Sequence, residues 1–379
     1  MSKLINTHHT ARRYLLHDRA NSLGAFFGIV ISTFLIGQQI GVFNYLIDGI
    51  TKLVTISDEY VWVVDNKTQN VNSLRRLDVR IGYQVSSLPG VASSHPVFTG
   101  GGIVQFEGED DEGVTLIGVQ PPGFVGAPKD LFAGSHTDLL QEGALSGDMH
   151  EKRVFKDNRI GATFEINKQQ AFIAAQTKGV LGFGRAYSFT TIDRARAISG
   201  SGKNQANAFL IKPLPGYTQT EVAKNINGRI YGVKAWTAED FRKATILFYL
   251  KHSSIVISIG TMVVFAFLAG IAIVGLTLYS SAIDHIRDYG TMKAIGATNG
   301  YIRRLLYMQA MMLAIPGFIF GQLLVQIFKI FIESKGLLIH FNTQFYIIFF
   351  IMVCVIALSG AALASRRILK LEPGEVFRL

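Results

Sequence analysis

The chain has 379 residues, of which 49% are hydrophobic and 17% are charged. This balance is too apolar for an ordinary soluble protein and too polar for one that lies entirely within a membrane. The net charge of +10 does not indicate a nucleic-acid partner, because 12 of the 37 basic residues flank apolar runs and no basic stripe with interleaved aromatic residues occurs.

Four charge-free apolar runs predict four transmembrane helices, at residues 22–47, 253–283, 305–328 and 341–365. A bilayer core of roughly 30 Å needs about 20 helical residues, so each run is long enough to span it. The first run is about twice as long as the apolar part of a signal peptide, which favours a retained anchor. Because no run contains Asp, Glu, Lys or Arg, an ion-coupled transporter is disfavoured and energy is expected to come from another protein.

The basic residues beside these runs predict the orientation of the chain. Twelve of them lie in three flanking segments: Lys3, Arg12, Arg13 and Arg19 in 1–21; Arg287, Lys293, Arg303 and Arg304 in 284–304; Arg366, Arg367, Lys370 and Arg378 in 366–379. The short connection at 329–340 carries only Lys329 and Lys335. By the positive-inside rule both termini of this multi-pass chain are cytoplasmic, and the basic flanks are expected to contact anionic lipid headgroups.

The first 21 residues predict an amphipathic helix along the inner membrane surface. Its apolar residues are Leu4, Ile5, Ala11, Tyr14, Leu15 and Leu16, among His and Arg.

Small residues at four-residue spacing predict close packing of the membrane helices. They are Gly24, Gly28, Ser32, Gly37 and Gly41 in the first run, Ala266 and Gly270 in the second, and Gly360 and Ala364 in the fourth. The spacing suits contacts within one chain and contacts in a dimer, and the sequence leaves open which helices meet.

Residues 48–252 predict a mixed α+β domain outside the cytoplasm. Candidate strands lie at 61–64, 102–106, 114–119, 170–175 and 207–211, and candidate helices at 73–87 and 220–226. The single cysteine, Cys354, lies in the fourth apolar run, so the domain needs its own hydrophobic core rather than a disulfide. The fold class is therefore a four-helix membrane protein with an α+β domain between the first two helices, joined to them by a helical stalk at 48–54 and 238–251.

Patterns that could indicate an enzyme or a metal site are incomplete. Gly200–Asn204 lacks the first glycine and the Ser or Thr of a phosphate loop, and His150-Glu151 is not followed by a second histidine at Val154. The acidic residues at 107–112 lack the spacing of a calcium loop and favour a solvated hairpin tip. We therefore expect a non-catalytic chain without a metal.

The segment 284–304 combines features of a docking element for another protein. Asp284, Arg287 and Asp288 place charge at helical spacing, Gly290 would allow a sharp backbone excursion, and Met292 supplies an adaptable apolar contact. The alternative is a polar loop between two helices that contacts only lipid.

This segment carries a resemblance to a known family. Residues 284–298 resemble the E-R-x-x-E-I-G-x-L-K/R-A-I-G-A-S/T pattern of the FtsX-like permease domain in MacB-type ABC exporters, and residues 364–378 resemble the usual ending of that domain. Residues 37–48, 88–91 and 117–122 are similar to landmarks of its DevC branch. Asp at 284 and 288, His at 285 and Tyr at 289 depart from the pattern.

The resemblance implies a homodimeric permease of the bacterial inner membrane, served by a separately encoded ATPase dimer. The ATPase would bind ATP and magnesium, and this chain would hold no cofactor. ATP-driven closure would push on the coupling segment, and the movement would pass through the first two spans to the external domain, a process called mechanotransmission. A periplasmic adaptor and a TolC-like outer-membrane channel would complete the exporter. The implied coupling residues are Asp284, Ile286, Arg287, Asp288, Gly290, Met292, Lys293, Gly296 and Ala297.

Two other functions remain open at this stage. A related permease could release lipoproteins to a carrier, or an FtsX-like scaffold could regulate a cell-wall hydrolase. A neighbouring gene for an adaptor would favour export, whereas one for a carrier or a hydrolase would favour these alternatives. The sequence does not identify a substrate.

Overall fold

The computed structural model describes residues 2–17, 19–105, 111–182, 184, 186–334, 339, 341 and 343–369. Most of the predicted acidic hairpin tip, part of the predicted loop at 329–340 and most of the predicted basic tail lie outside the described residues. The chain divides into two compact units. We call the described part of Met1–Asn44, Ser258–Ser334 and Ile339–Leu379 the membrane unit, and Tyr45–Ile257 the domain unit.

The described part of the chain contains ten α-helices. They are α1 (Ser2–His17), α2 (Arg19–Thr55), α3 (Arg80–Ser86), α4 (Ile192–Ile198), α5 (Gln219–Arg229), α6 (Ala238–His252), α7 (Ser254–Asp284), α8 (Ile286–Ala294), α9 (Asn299–Glu333) and α10 (Thr343–Leu369). Within the described residues, four helices are long and apolar enough to cross a membrane, over Ser22–Thr55, Ser254–Ser281, Asn299–Glu333 and Thr343–Arg366. The predicted four-span class is confirmed.

The domain unit contains the strands. They are β1 (Val61–Asp65), β2 (Leu77–Asp78), β3 (Val91–Gln105), β4 (Glu112–Val119), β5 (Ala144–Asp148), β6 (Thr163–Ile166), β7 (Gln169–Thr177), β8 (Ala186–Thr191), β9 (Gln205–Ala206), β10 (Ala208–Pro213) and β11 (Val233–Trp236). Nine of these described strands form one sheet in the order β11-β1-β10-β3-β6-β7-β5, with β4 paired to β3 and β8. The strands β2 and β9 form a separate pair.

The mixed α+β class predicted for the domain is confirmed, although several local expectations were incomplete. Each of the five candidate strands lies in an observed strand or overlaps one. The helix expected at 73–87 is shorter, because Leu77 and Asp78 form β2 and only Arg80–Ser86 is helical. In a longer helix, the backbone N–H and C=O groups of Leu77 and Asp78 would find partners within the helix. Here the two residues pair with Ala206 and Gln205 in an antiparallel ladder instead.

The two predicted stalk segments are helical and pack on the sheet of the domain unit. The last turns of α2 contribute Leu53 and Val54 to a buried cluster, and α6 contributes Ala238 and Phe241. Phe241 is fully buried, with its ring 5.7 Å from that of Trp62. Burial of one aromatic side chain of this size contributes about 2–3 kcal/mol, so these contacts fix both helices to the domain core.

Candidate functional site

The predicted coupling segment forms a short helix between a non-helical residue, His285, and a turn at Gly296. The helix α7 ends at Asp284, His285 is not helical, and α8 runs from Ile286 to Ala294. The Nδ1 atom of His285 lies 2.9 Å from Oδ2 of Asp288 in the first turn of α8. Acidic Asp288 near the start of the helix and basic Lys293 near its end complement the helix dipole, which favours helix formation here.

The side chains of α8 divide into an inner and an outer face. Tyr289 is only 2% exposed and belongs to the buried cluster of the membrane unit, and Gly290 beside it is also buried. Met292 packs against the same cluster. The exposed face of α8 carries the predicted residues Arg287 and Asp288 together with Thr291 and Ala294, and the predicted Asp284 is exposed at the end of α7.

The sharp change of direction expected at Gly290 occurs at Gly296 instead. Gly290 lies inside α8, whereas Gly296 has φ +101°. The N–H of Gly296 donates to the carbonyl of Lys293 (3.0 Å), and the N–H of Ala297 donates to that of Met292 (2.8 Å). This pair of bonds is the Schellman arrangement, which ends a helix with a left-handed residue and favours glycine there.

The turn exposes an apolar residue that was not singled out in the sequence. Ile295 is 82% exposed at the C-cap of α8, directly before Gly296. Thr298 then caps α9, since its hydroxyl accepts a hydrogen bond from the N–H of Tyr301 (3.3 Å). The sequence feature that could have indicated it is an isoleucine directly before the glycine that ends the helix.

The N-terminal helix α1 packs against this segment. Thr7 and Ala11 are fully or almost fully buried on one face of α1, and Leu15 packs against the cluster that contains Tyr289. The ring of Tyr14 stacks on that of Tyr289, with centroids 6.0 Å apart. One face of α1 therefore contacts protein, and the predicted position of this helix along the inner membrane surface stays a prediction.

The small residues of the first span contact helices of the same chain. A Cβ placed on Gly28 would lie 3.0 Å from Cγ2 of Ile273 in α7, and one on Gly24 would lie 3.4 Å from Thr277. Gly37 approaches α9 and α10, and Gly41 approaches Ile339 and Phe341. These contacts lie within one membrane unit, and a further contact with a second copy of the chain stays a prediction.

The remaining predicted small residues also lie in this unit. Gly270 faces Ser32 of α2 and Ile356 of α10. A Cβ on Gly360 would meet the backbone nitrogen of Gly275 at 2.9 Å. The other two are Ala266, which packs against the buried cluster, and Ala364, which is fully buried.

Two closely packed glycines of α9 were missed. A Cβ on Gly317 would lie 2.5 Å from Cγ2 of Ile29, and one on Gly321 would lie 2.5 Å from Cβ of Thr33. Both glycines bring α9 against α2. Their four-residue spacing is the signal already used in the other three spans.

In the domain unit, Asn72 links a helix to the sheet. Its Nδ2 donates to the carbonyl of Ile50 in α2 (2.7 Å), and its Oδ1 accepts from the hydroxyl of Tyr187 in β8 (2.8 Å). The neighbouring N–H of Val71 donates to Oγ1 of Thr245 in α6 (3.2 Å). Burial raises the pKa of Tyr187, which keeps its hydroxyl neutral as a donor. These bonds tie α2 and α6 to the same corner of the domain.

A groove of about 1360 Å³ lies in the domain unit beside α4, β6 and β7. Its polar wall includes Glu142, Glu165 and Arg194. The Nη1 atom of Arg194 donates to the carbonyls of Leu139 (2.7 Å) and Ala144 (3.0 Å). Burial lowers the pKa of Arg194. This arginine therefore holds neighbouring backbone segments together.

The described chain is a four-helix membrane protein, with a mixed α+β domain between the first two apolar helices and the short helix α8 between the second and third. Residues 248–373 match the family model described as FtsX-like permease C-terminal. This part of the chain, which holds the last three apolar helices, resembles the C-terminal domain of FtsX-like permeases.

Two distant relatives are similar over most of the chain. Two uncharacterized ABC transporter permeases of Mycobacterium tuberculosis, from strains CDC 1551 / Oshkosh and H37Rv, are each 21% identical over 300 residues, covering 78% of this chain and 77% of the relative. The periplasmic region of MacB from Actinobacillus actinomycetemcomitans is similar at 12% identity and TM-score 0.37, covering 52% of this chain and 95% of that structure. The extracellular domain of the transporter YknZ from Gram-positive bacteria is similar at 12% identity and TM-score 0.34, with coverages of 47% and 98%.

Proposed function

We propose that this chain is the permease subunit of a MacB/DevC-type exporter and couples ATP hydrolysis by a separate ATPase dimer to movement of its external domain. In this proposal α8 lies at the cytoplasmic surface, as the basic flanks require under the positive-inside rule. A second copy of the chain completes the permease. An adaptor and a TolC-like channel receive the exported substrate.

The observation that carries the proposal is the form of α8. An exposed apolar side chain, Ile295, stands at its end beside a left-handed glycine, and charged Arg287 and Asp288 are exposed near its start. An exposed apolar residue on a helix that also exposes charge suits a protein partner, because burial of the apolar group supplies affinity and the charges set orientation.

The transmission path is inferred from how each unit is held together. In the membrane unit, glycine contacts join α2 to both α7 and α9, so displacement of one helix is resisted by the others. In the domain unit, the end of α2 and the first half of α6 are attached to the domain core through Asn72, Thr245 and Phe241. The helices α2 and α7 therefore serve as the levers of the proposed mechanism.

The test is to remove the docking contact without disturbing the fold. The variant Ile295→Asp should reduce binding of the cognate ABC ATPase, isolated by co-purification with the wild-type chain, by at least about tenfold, or about 1.4 kcal/mol. The permease-dependent increase in ATP turnover should fall with it in reconstituted membranes.

The matched control is Ile160→Asp, which changes a half-exposed isoleucine of the domain unit. It should leave both ATPase binding and turnover unchanged. Normal ATPase binding by Ile295→Asp would contradict the docking assignment. ATP hydrolysis by the purified chain alone would contradict the division of labour between the two subunits.

A further inference from the structure

The short helix α8 needs an external support to transmit force. It has nine residues, which is too few for a stable isolated helix in water. It is also bounded by two joints, the non-helical His285 and the left-handed Gly296. A push on its exposed face would turn it about these joints unless another element held it.

The helix α1 supplies such a support. The ring of Tyr14 lies nearly parallel to that of Tyr289, with 9° between the planes. Its centroid also lies 5.6 Å from the ring of His285, which it meets edge-on at 80°. One side chain of α1 therefore contacts both the joint before α8 and the buried face of α8.

The support is itself anchored in the membrane unit. Ala11, one turn before Tyr14, is fully buried in the same cluster as Tyr289, Ile302 and Leu306. The last two of these belong to α9, which follows the second joint. Because α1 contacts α8 and α9 together, it bridges the bend between them.

We propose that α1 is a positioning clamp for the coupling helix, with Tyr14 as the residue that holds α8 so that force on its exposed face moves the membrane unit instead of turning α8 alone. This inference rests on the proposed function, because it assumes that the ATPase acts on α8. Tyr14 touches neither ATP nor a substrate, and it acts through Tyr289 and His285. The proposal gives α1, which the sequence predicts to lie along the inner membrane surface, a role in transmitting force from the ATPase.

The experiment separates binding of the ATPase from its stimulation. The variant Tyr14→Ala should bind the cognate ATPase within about twofold of the wild-type chain, since the exposed face of α8 is unchanged, while stimulation of ATP turnover falls by about fivefold or more. The variant Tyr14→Phe keeps the stacked ring and should restore stimulation. The variant Leu16→Ala, at an exposed position of the same helix, should behave as the wild type.

A fourth variant guards against simple loss of folding. Tyr14→Leu keeps apolar volume at the site but removes the flat ring, so it should fold, as judged by helical circular dichroism, and stimulate poorly. Full stimulation by Tyr14→Leu or by Tyr14→Ala would overturn the clamp. Equal failure of Tyr14→Phe would also overturn it, because the ring contact would then not be the cause.

The results distinguish the clamp from the proposed function. If Ile295→Asp binds and stimulates the ATPase normally, the docking assignment itself fails and the clamp fails with it. If Ile295→Asp fails while Tyr14→Ala stimulates normally, docking on α8 stands and only the clamp is rejected.

Discussion

Tyr14 and Tyr289 form a stacked pair that joins the N-terminal helix α1 to α8, with ring centroids 6.0 Å apart. The two residues are far apart in the chain, and each lies on the buried side of its own helix. Stacked aromatic pairs contribute about 0.5–1.5 kcal/mol beyond the burial of their surface. The pair therefore fixes α8 more firmly than its own nine residues could.

The ionisation of Tyr14 should report this packing. Burial, followed by the nearby Asp288 and Tyr301, raises the pKa of Tyr14 from 10.0 to about 12. Because the neutral phenol is favoured in the folded protein, its contribution to stability is complete below pH 10 and is lost as the pH rises through about 12. In NMR spectra of protein labelled at tyrosine Cζ, the Tyr14 signal is the one that is missing from the Tyr14→Phe variant. At about pH 11 this signal should still have the chemical shift of a neutral phenol. Titration of that signal at the ordinary tyrosine pKa of about 10 would contradict the observed packing.

The left-handed turn at Gly296 should tolerate no other residue well. A Cβ at this position would meet open space, so the cost of Gly296→Ala comes from the backbone alone, about 1 kcal/mol. The amide of Ala297, which donates to Met292, should then exchange its hydrogen about fivefold faster in mass-spectrometric measurements. The control is Gly300→Ala, in the first turn of α9 with a Cβ position nearly free of contacts. Equal exchange in both variants would show that the turn does not depend on glycine.

Packing of α9 against α2 should depend on Gly321. Its Cβ would lie 2.5 Å from Cβ of Thr33 and 3.0 Å from the carbonyl of Val30, so one helix must move. We expect Gly321→Ala to lower stability in detergent by about 1–3 kcal/mol, as overpacking does elsewhere. Gly260→Ala is the matched control, since its Cβ would meet Phe43 at an ordinary 3.7 Å. Denaturant unfolding followed by circular dichroism measures the difference, and equal midpoints would contradict the close contact.

Phe241 should be a principal anchor of α6 on the domain core. Its ring lies 5.7 Å from that of Trp62 and 5.8 Å from that of Trp236. We expect Phe241→Ala to cost about 3–5 kcal/mol. The chain has only these two tryptophans, so their fluorescence during unfolding reports this cluster directly. The exposed Leu247 on the same helix provides the control Leu247→Ala, which should change the unfolding midpoint little. Similar midpoints for the two variants would count against the anchor.

The strand β8 shows why parts of the domain could not be predicted. Its segment, Ala186–Thr191, alternates polar and apolar residues, yet all but the last are buried. The hydroxyl of Ser188 donates to the carbonyl of Ser146, and that of Thr190 donates to the carbonyl of Ala144. Buried hydroxyls are tolerated only where such partners exist. Those partners lie on β5, more than 40 residues away, and no local pattern reveals them.

The sequence by itself determined the properties that depend on local length and composition: four apolar runs long enough for a bilayer, a charged segment between the second and third, and a resemblance confirmed over the FtsX-like permease domain. The membrane orientation, the dimer and the export partners stay predictions. Tertiary structure decided which helix each glycine meets, that the left-handed turn lies at Gly296 and not at Gly290, and that Tyr14 stacks on Tyr289 of α8. The reason is physical: the length of an apolar run is set by neighbouring residues, whereas close packing and the backbone of a turn depend on atoms contributed by distant parts of the chain.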